Sequence, residues 1–128
     1  MSYLIDSNIF IYAGNATSDE EIAYRFLTDL ASFYYASVTK IEVLGYHELD
    51  AEDKKILESM FIKGREIPLS QAVKDKAIEL KQERKMSLGD SIIAASALIR
   101  NAILVTRNVD DFIHIDDLQH LNPYQPTE

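Results

Sequence analysis

Short apolar runs alternate with longer amphipathic segments along almost the whole chain, and this alternation constrains the fold more than any other feature. The runs that we predict to be strands span 3–5, 33–38, 65–67 and 102–105. Between them, apolar residues recur at helical spacing. Strands that alternate with helices predict right-handed crossovers and a mostly parallel sheet covered on both faces. We also expect the segment 115–122 to add a short edge strand.

Several polar residues mark the starts of the predicted helices. Patterns typical of a capping box, in which a side chain and a backbone N–H three residues apart bond to each other, occur at Ser18–Glu21, Thr39–Glu42, Ser87–Asp90 and Asn108–Asp111. Ser70 is predicted to start a further long helix. The segment 92–99 is apolar nearly all round, so we expect a buried helix there. The residues 6–8, directly after the first strand, are predicted to form a turn.

Length and composition limit the function classes that are open to this chain. Its 128 residues show no repeat or linker, so we expect one domain over 1–128. The absence of cysteine excludes thiolate metal sites and cysteine nucleophiles. With no signal peptide and no apolar run long enough for a bilayer, we expect a cytoplasmic protein without a membrane partner. The net charge of −8 repels polyanions, so nucleic-acid binding would need local basic side chains or bound cations.

Four acidic residues stand where the chain leaves a predicted strand or enters a predicted helix: Asp6, Glu42, Asp90 and Asp111. The carboxyl ends of parallel strands meet at one edge of a sheet, where ligands bind in folds of this class. Asp6 and Asp111 each follow a strand, so we expect them to share a cleft. Glu42 follows the second strand and reaches the same edge, and Asp90 joins them if its helix begins there.

These acids have two interpretations, which are compatible with each other. Glu42, Asp90 and Asp111 each stand at the third position of a capping box, where a carboxylate stabilises a helix by about 0.3–1 kcal/mol. Asp6 has no such role unless Asn8 begins a helix. Alternatively, the four carboxylates form one cleft, where a pair about 5 Å apart repels by roughly 3 kcal/mol at an effective dielectric of 20. A divalent cation offsets that repulsion, and oxygen ligands without cysteine favour Mg²⁺ or Mn²⁺ over zinc.

Four segments together resemble the four motifs of PIN-domain ribonucleases, and most closely those of the VapC-type toxins of bacterial and archaeal toxin–antitoxin pairs: Tyr3–Asn8, Thr39–Glu42, Leu88–Ala94 and Leu104–Phe112. The segments follow the family's order and extend over nearly the whole chain. The resemblance implies a three-layer α/β/α sandwich with a mostly parallel sheet. It also implies catalytic acids that bind Mg²⁺ or Mn²⁺, which by motif are Asp6, Glu42, Asp90 and Asp111. Asp110 is the alternative to Asp111 as the fourth acid.

The same resemblance implies a function and partners. Asn8, Thr106 and Asn108 match the polar residues of the motifs and would orient water, carboxylates or phosphate. Lys40 and Arg107 lie inside motifs and are candidates for contact with the substrate. The implied protein is a metal-dependent endoribonuclease that acts on RNA as a toxin. It would be inhibited by a small cognate antitoxin and would form a homodimer.

Two other functions stay open on the sequence alone. The chain is a catalytically silent PIN-like binding module if the acids serve only as helix caps. A phosphatase of the haloacid-dehalogenase type would use Asp6 as its nucleophile, but those enzymes carry Asp-x-Asp and this chain has Asn8 at the second position. The basic residues of the predicted helix over 74–85 alternate with acids, which is more typical of a solvated face than of a phosphate-binding surface.

Overall fold

The computed structural model describes residues 1–14 and 21–125, in which short strands alternate with helices. The strands are β1 Tyr3–Ile5, β2 Tyr34–Ala36, β3 Arg65–Ile67, β4 Ile103–Val105 and β5 His120–Leu121. The helices are α1 Ser7–Ala13, α2 Glu21–Asp29, α3 Ser37–Leu44, α4 Ala51–Lys63, α5 Gln71–Glu83 and α6 Leu88–Arg100. A single turn of 3-10 helix, Val109–Asp111, follows β4.

The strands form one parallel sheet in the order β3-β2-β1-β4-β5. Strand β1 lies at the centre, where Leu4 pairs with Tyr34 of β2 on one side and with Leu104 of β4 on the other. The chain therefore winds outwards in both directions from β1. Such a point, where the connections diverge to opposite sides, opens a crevice at the carboxyl ends of the strands. The predicted parallel sheet and the edge strand within 115–122 are confirmed.

A separate hydrophobic core lies on each face of the sheet. Leu4 and Leu104 face the core formed with α5 and α6, which includes Ile93. The alternation of side chains along a strand turns Ile5 to the opposite core, where Phe10 of α1 is also buried. The sheet therefore has helices on both faces, as the expected α/β/α sandwich requires.

Helix α6 is buried over Ser91–Ala97 but not to its end, since Ile99 is 45% exposed. The prediction of a buried helix is therefore right for most of the segment. Its start is also as predicted, because Ser87 Oγ accepts a hydrogen bond of 3.1 Å from the backbone N–H of Asp90. In the described parts of the chain, no helix has the length and apolar character that a membrane span needs.

The other predicted helix starts have different outcomes. Ser70 is confirmed as an N-cap, since its side chain accepts from the N–H of Val73. The pattern that starts at Ser18 lies outside the described residues up to Glu21, where α2 begins. Asn108 holds the N-cap position of the 3-10 turn, but its backbone carbonyl, rather than its side chain, accepts from the N–H of Asp111.

The capping box at Thr39–Glu42 is wrong. Helix α3 begins three residues earlier, at Ser37 with Ala36 as its N-cap, because β2 ends at Ala36 and the chain turns directly into the helix. Thr39 is then an interior helical residue, fully buried, and Glu42 lies in the second turn. Glu42 therefore has no capping role.

The turn predicted at 6–8 is also wrong, because α1 begins there. Asp6 is the N-cap of α1, and its Oδ1 accepts a hydrogen bond of 2.8 Å from the N–H of Ser7. Asp6 thus combines the two interpretations of the acids: it caps a helix and it lies at the carboxyl end of β1.

Candidate functional site: an acidic centre at the carboxyl edge of the sheet

Four acidic residues approach one another at the carboxyl edge of the sheet. Asp6 follows β1, Glu42 lies on α3 after β2, Asp90 lies in the first turn of α6, and Asp111 ends the 3-10 turn after β4. The charges of Asp6, Glu42 and Asp90 reach one another, and the charge of Asp111 reaches Asp90. Burial is the main cause that raises the pKa of both Asp6 and Asp90, and the carboxylate of Glu42 raises both pKa values further. Asp6, Glu42 and Asp90 therefore lie close together with Asp111 beside Asp90, and the roles assigned to the four acids stay predictions.

Asp6 is the most enclosed of the four, with 5% of its surface exposed. Its Oδ2 accepts a hydrogen bond of 2.7 Å from Thr106 Oγ1, and its Oδ1 accepts from Ser7 N. Burial raises the pKa of Asp6 from 3.8 to about 6; the two hydrogen bonds oppose this rise, while the charges of Asp90 and Glu42 add to it. The chain thus holds a carboxylate in one orientation at a cost in solvation free energy.

Thr106 connects two of the predicted site segments. Its hydroxyl is fully buried, donates to Asp6 and accepts from the backbone N–H of Asn108 at 3.0 Å. The hydroxyl therefore fixes Asp6 at the end of β1 and also fixes the loop that leads from β4 to Asp111. The side chain of Asn108 is exposed.

Glu42 is positioned by a hydroxyl group of α1. Its Oε1 accepts a hydrogen bond of 2.6 Å from Ser7 Oγ, which in turn lies 3.2 Å from Thr39 Oγ1. Its other oxygen, Oε2, faces Gly89 of α6: a Cβ atom at Gly89 would lie 3.0 Å from it. Helices α1, α3 and α6 therefore meet around this carboxylate, and glycine leaves room for it.

Asp111, rather than Asp110, is the acid coupled to the centre. After burial, the charge of Asp111 is the next largest cause that raises the pKa of Asp90, whereas Asp110 is not among the causes. Both residues line a cavity of about 550 Å³ beside the 3-10 turn. Of the two residues, Asp111 is therefore the one whose charge reaches Asp90.

The remaining candidates have different environments. Asn8, on α1, has a buried Oδ1 without a hydrogen-bond partner in the described structure. Lys40 is exposed on α3 and, within the described chain, joins no ion pair. Arg107 is exposed, lines the 550 Å³ cavity, and stacks on the rings of Tyr12 and Tyr124, with its Cζ 4.9 and 4.1 Å from their centroids.

The donor set fits a hard divalent cation. The four carboxylates and the partnerless amide oxygen of Asn8 are oxygen ligands, the type that Mg²⁺ and Mn²⁺ prefer. Within residues 1–14 and 21–125, no three histidine, aspartate or glutamate side chains already surround one point as metal ligands. Ser7 Oγ holds Glu42 Oε1 and Ser87 bonds to the Asp90 carboxylate, whereas Asp111 is exposed and can rotate towards a cation beside the fixed Asp6.

A family model described as the PIN domain matches residues 3–118 of this chain. The chain belongs to the PIN-domain family. The match includes every acid of the centre and the first four strands, so the resemblance seen in the motifs is confirmed. Membership in this family removes the support for a phosphatase of the haloacid-dehalogenase type.

Solved structures of similar chains have the same fold. This PIN domain is 27% identical to a chain of a toxin–antitoxin complex from Klebsiella pneumoniae (TM-score 0.78; 98% of this chain and 100% of that chain covered). It is 26% identical to a chain of VapBC2 from Rickettsia felis, solved bound to a promoter DNA fragment (TM-score 0.76; 95% and 98% covered). A chain of VapBC-1 from nontypeable Haemophilus influenzae, 24% identical to this one, has the same fold (TM-score 0.78; 98% of this chain and 100% of that chain covered). No curated protein matches this chain.

Sequence reasoning missed several residues that shape the site of this PIN domain. Ser7 and Thr39 stand inside the quoted motifs, but their hydroxyl contacts depend on α1 packing against α3. Gly89 also lies inside a motif. A glycine within a predicted helix was the available signal of a close approach, and in the structure the residue that approaches is Glu42. Tyr12 and Tyr124 lie outside the motifs and had no signal, because only the folded chain brings them to Arg107.

Proposed function

We propose that this PIN domain is an endoribonuclease dependent on Mg²⁺ or Mn²⁺, and that it is the toxin of a type II toxin–antitoxin pair. The observation that carries the proposal is the meeting of Asp6, Glu42, Asp90 and Asp111 at the carboxyl edge of the sheet, with the pKa of Asp6 raised to about 6, mainly by burial. Membership in the PIN-domain family supports the nuclease activity. The similarity to chains of toxin–antitoxin complexes supports the biological role.

Each part of the site has a separate task in this proposal. Asp6 is the rigid metal ligand, because Thr106 and the N–H of Ser7 hold both of its oxygens. Glu42, held by Ser7, and Asp90 and Asp111 complete the ligand set, and the exposed Asp111 can adjust its side chain to the cation. A divalent cation bound there would supply Lewis-acid activation of water and of the phosphodiester. Thr106 orients the carboxylate of Asp6, and the residues left to contact water and phosphate are Asn8, Lys40, Arg107 and Asn108.

The proposed partners follow from charge and from the solved relatives. The net charge of −8 favours a basic antitoxin segment, which would place a cationic side chain among the acids and exclude the metal. We also propose a homodimer, which light scattering tests: a monomer mass at high protein concentration would contradict it. The proposed place of action is the cytoplasm, where the RNA substrate is found.

RNA cleavage by the purified protein tests the proposal directly. We expect cleavage with Mg²⁺ or Mn²⁺, none with EDTA, and a loss of at least about 100-fold in Asp90→Asn. Glu83→Gln, an equal change of charge on the exposed end of α5, is the matched control and keeps full activity. Absence of cleavage with either metal, or equal cleavage by Asp90→Asn, would contradict the proposal.

A catalytically silent binding module is the second candidate. It is favoured by the capping contacts, since Asp6 caps α1 and Ser87 caps α6 at Asp90, and by the lack of a preformed three-ligand group in the described chain. Such a module binds no divalent cation at this edge. It also loses no more than about 1 kcal/mol of stability for each acid replaced.

A further inference from the structure

Arg107 packs against two tyrosine rings that contact each other, at one side of the acidic centre. Its Cζ lies 4.9 Å from the ring centroid of Tyr12 on α1 and 4.1 Å from that of Tyr124. The two rings meet edge to face with their centroids 6.0 Å apart. An arginine side chain that stacks on aromatic rings loses less conformational freedom when it binds an anion. Arg107 is therefore prepared to bind one.

Asn122 and β5 fix the segment that carries Tyr124. The N–H of Tyr124 donates to Asn122 Oδ1 at 2.9 Å, and Asn122 is itself buried. Just before it, the carbonyl of Leu121 in β5 accepts from the N–H of Thr106 at 3.0 Å. Residues 121–124 are thus attached to the same loop that leads to the acids. Tyr124 is a fixed support for Arg107.

Arg107 and Asp111 of the acidic centre line the same polar cavity. Its volume of about 550 Å³ lies in the range of small-molecule binding sites, roughly 300–1,000 Å³. Asp111 of the acidic centre and the side chains of Asn108 and Gln125 are among its lining residues. Asn108 and Gln125 are both exposed, and each carries an amide with two donors and an acceptor, the groups that base edges pair with.

The charge of Arg107 is unpaired within the described chain. No carboxylate forms an ion pair with it, although Asp110 and Asp111 line the same cavity. A guanidinium without a carboxylate partner is available for the bidentate hydrogen bonds that phosphate accepts. In a protein with a net charge of −8, such a cation next to the acids has the sign that a polyanion requires.

We propose that this cavity is a nucleotide-binding subsite for RNA, in which Arg107 binds a backbone phosphate while Asn108 and Gln125 contact a base. Tyr12 and Tyr124 are positioning residues that act through Arg107. This inference rests on the proposed endoribonuclease function. It adds a site that holds one nucleotide of the substrate beside the cleaved bond. It also gives the segment 122–125 a role in substrate binding, through Tyr124 and Gln125.

Steady-state cleavage of a short RNA by the full-length protein tests the role of Arg107. Loss of a charge-assisted contact predicts that Arg107→Ala raises KM about 10- to 100-fold, with little change in kcat. Arg100→Ala is the matched control. Arg100 also stacks on a tyrosine, Tyr34, at 4.7 Å, but it ends α6 ten residues and about 15 Å from Asp90. An unchanged KM in Arg107→Ala, or the same rise in Arg100→Ala, would overturn the proposal.

The two tyrosines are tested by a double replacement. Tyr12→Ala with Tyr124→Ala is expected to raise KM about 3- to 10-fold, because the cation–π contacts to Arg107 are lost. The double Phe variant keeps both rings and is expected to restore the low KM. Thermal unfolding separates this effect from loss of structure. A double Ala variant that folds with the parent's KM, or a double Phe variant as impaired as the double Ala variant, would overturn their role.

Base contact and substrate binding are tested separately. Gln125→Ala is expected to change the ratio of kcat/KM between RNAs that differ at one base, whereas Arg107→Ala lowers kcat/KM for all of them alike. An unchanged ratio overturns the base contact. Binding of a labelled RNA to Asp90→Asn is measured without cleavage, and Arg107→Ala in that background is expected to weaken it by the same 10- to 100-fold.

The outcomes distinguish this inference from the proposed function. If the parent cuts RNA with metal and Arg107→Ala matches it, the subsite is wrong while the endoribonuclease stands. If the parent does not cut RNA with metal and the Asp90→Asn variant does not bind RNA, both the proposed function and the subsite are wrong.

Discussion

Thr106 donates a hydrogen bond of 2.7 Å from its Oγ1 to Oδ2 of Asp6, although the two residues are 100 positions apart in the sequence. The bond joins the carboxyl ends of β4 and β1, which are neighbours in the sheet. The bond orients the Asp6 carboxylate. Burial is the main cause that raises the pKa of Asp6 to about 6, and the bond from Thr106 opposes that rise. The acidic centre therefore depends on a neutral hydroxyl as well as on its acids.

Removal of this hydroxyl tests its role. Thr106→Val keeps the shape of the side chain but leaves Asp6 Oδ2 without its donor, so the free energy of unfolding at pH 7 is expected to fall by about 1–3 kcal/mol. The pKa of Asp6 is expected to rise further above about 6. Thr106→Ser keeps a hydroxyl and is the control. Urea unfolding in EDTA measures the difference, and equal stability of the Val and Ser variants would contradict the prediction.

The raised pKa of Asp6 predicts how stability depends on pH in the absence of metal. Since the folded protein binds the proton of Asp6 more tightly than the unfolded chain does, stability falls as pH rises from about 4 to about 6, and it stays lower above that range. Asp6→Asn removes this dependence. Two pKa units correspond to roughly 3 kcal/mol, so the variant is expected to be more stable than the parent by up to that amount at pH 7.5.

Urea unfolding at pH 4 and pH 7.5 in EDTA measures this effect. The gain in Asp6→Asn must appear at pH 7.5 and shrink at pH 4, where Asp6 of the parent is protonated when folded. A variant that is less stable than the parent at pH 7.5 would show that the ionised carboxylate stabilises the fold, contrary to the burial that surrounds it.

A pair of neighbouring acids identifies the fourth acid. Asp111→Asn is expected to reduce RNA cleavage at least about 100-fold, because Asp111 is the acid whose charge reaches Asp90. Asp110→Asn makes the same change of charge one residue away and is expected to keep activity within a few-fold of the parent. Parallel cleavage assays compare the two, and the reverse order of effects would assign the role to Asp110.

Gly89 offers a test that separates activity from stability. Gly89→Ala places a Cβ 3.0 Å from Glu42 Oε2, so the Glu42 carboxylate that Ser7 positions must shift by a few tenths of an ångström. Alanine also favours the helix by up to about 1 kcal/mol. We expect a variant that is at least as stable as the parent in thermal unfolding but cleaves RNA several-fold more slowly. Full activity in this variant would mean that the position of Glu42 does not matter.

The sheet and most helices were predictable from the sequence because apolar periodicity reports burial directly. The bounds of the strand Arg65–Ile67 were predicted correctly because Pro68 ends it. The cap at Ser87 was predicted correctly because a serine before an apolar segment is a local signal of a helix start. The convergence of the four acids was predictable for a topological reason. Parallel strands send their carboxyl ends to one edge, whatever the details of packing.

Helix α1 was not predictable in the same way. Its sequence, Ser7–Ala13, contains Ile9, Phe10 and Ile11 in a run, which is more typical of a strand. Tertiary packing overrides this preference, because Phe10 stacks on Phe61 of α4 at 4.4 Å and is fully buried. The start of α3 was misplaced because a side-chain cap was expected at Thr39, whereas the helix begins after Ala36 without a side-chain cap.

Titration of Mn²⁺ into the metal-free protein, followed by calorimetry at pH 7.5, asks most directly whether Asp6, Glu42, Asp90 and Asp111 form one cation site. We expect saturable binding to the parent, a loss of at least about 10-fold in affinity in Asp90→Asn, and no change in Glu83→Gln. Absence of binding to the parent, or equal binding to all three proteins, would contradict the metal site on which the proposed function depends.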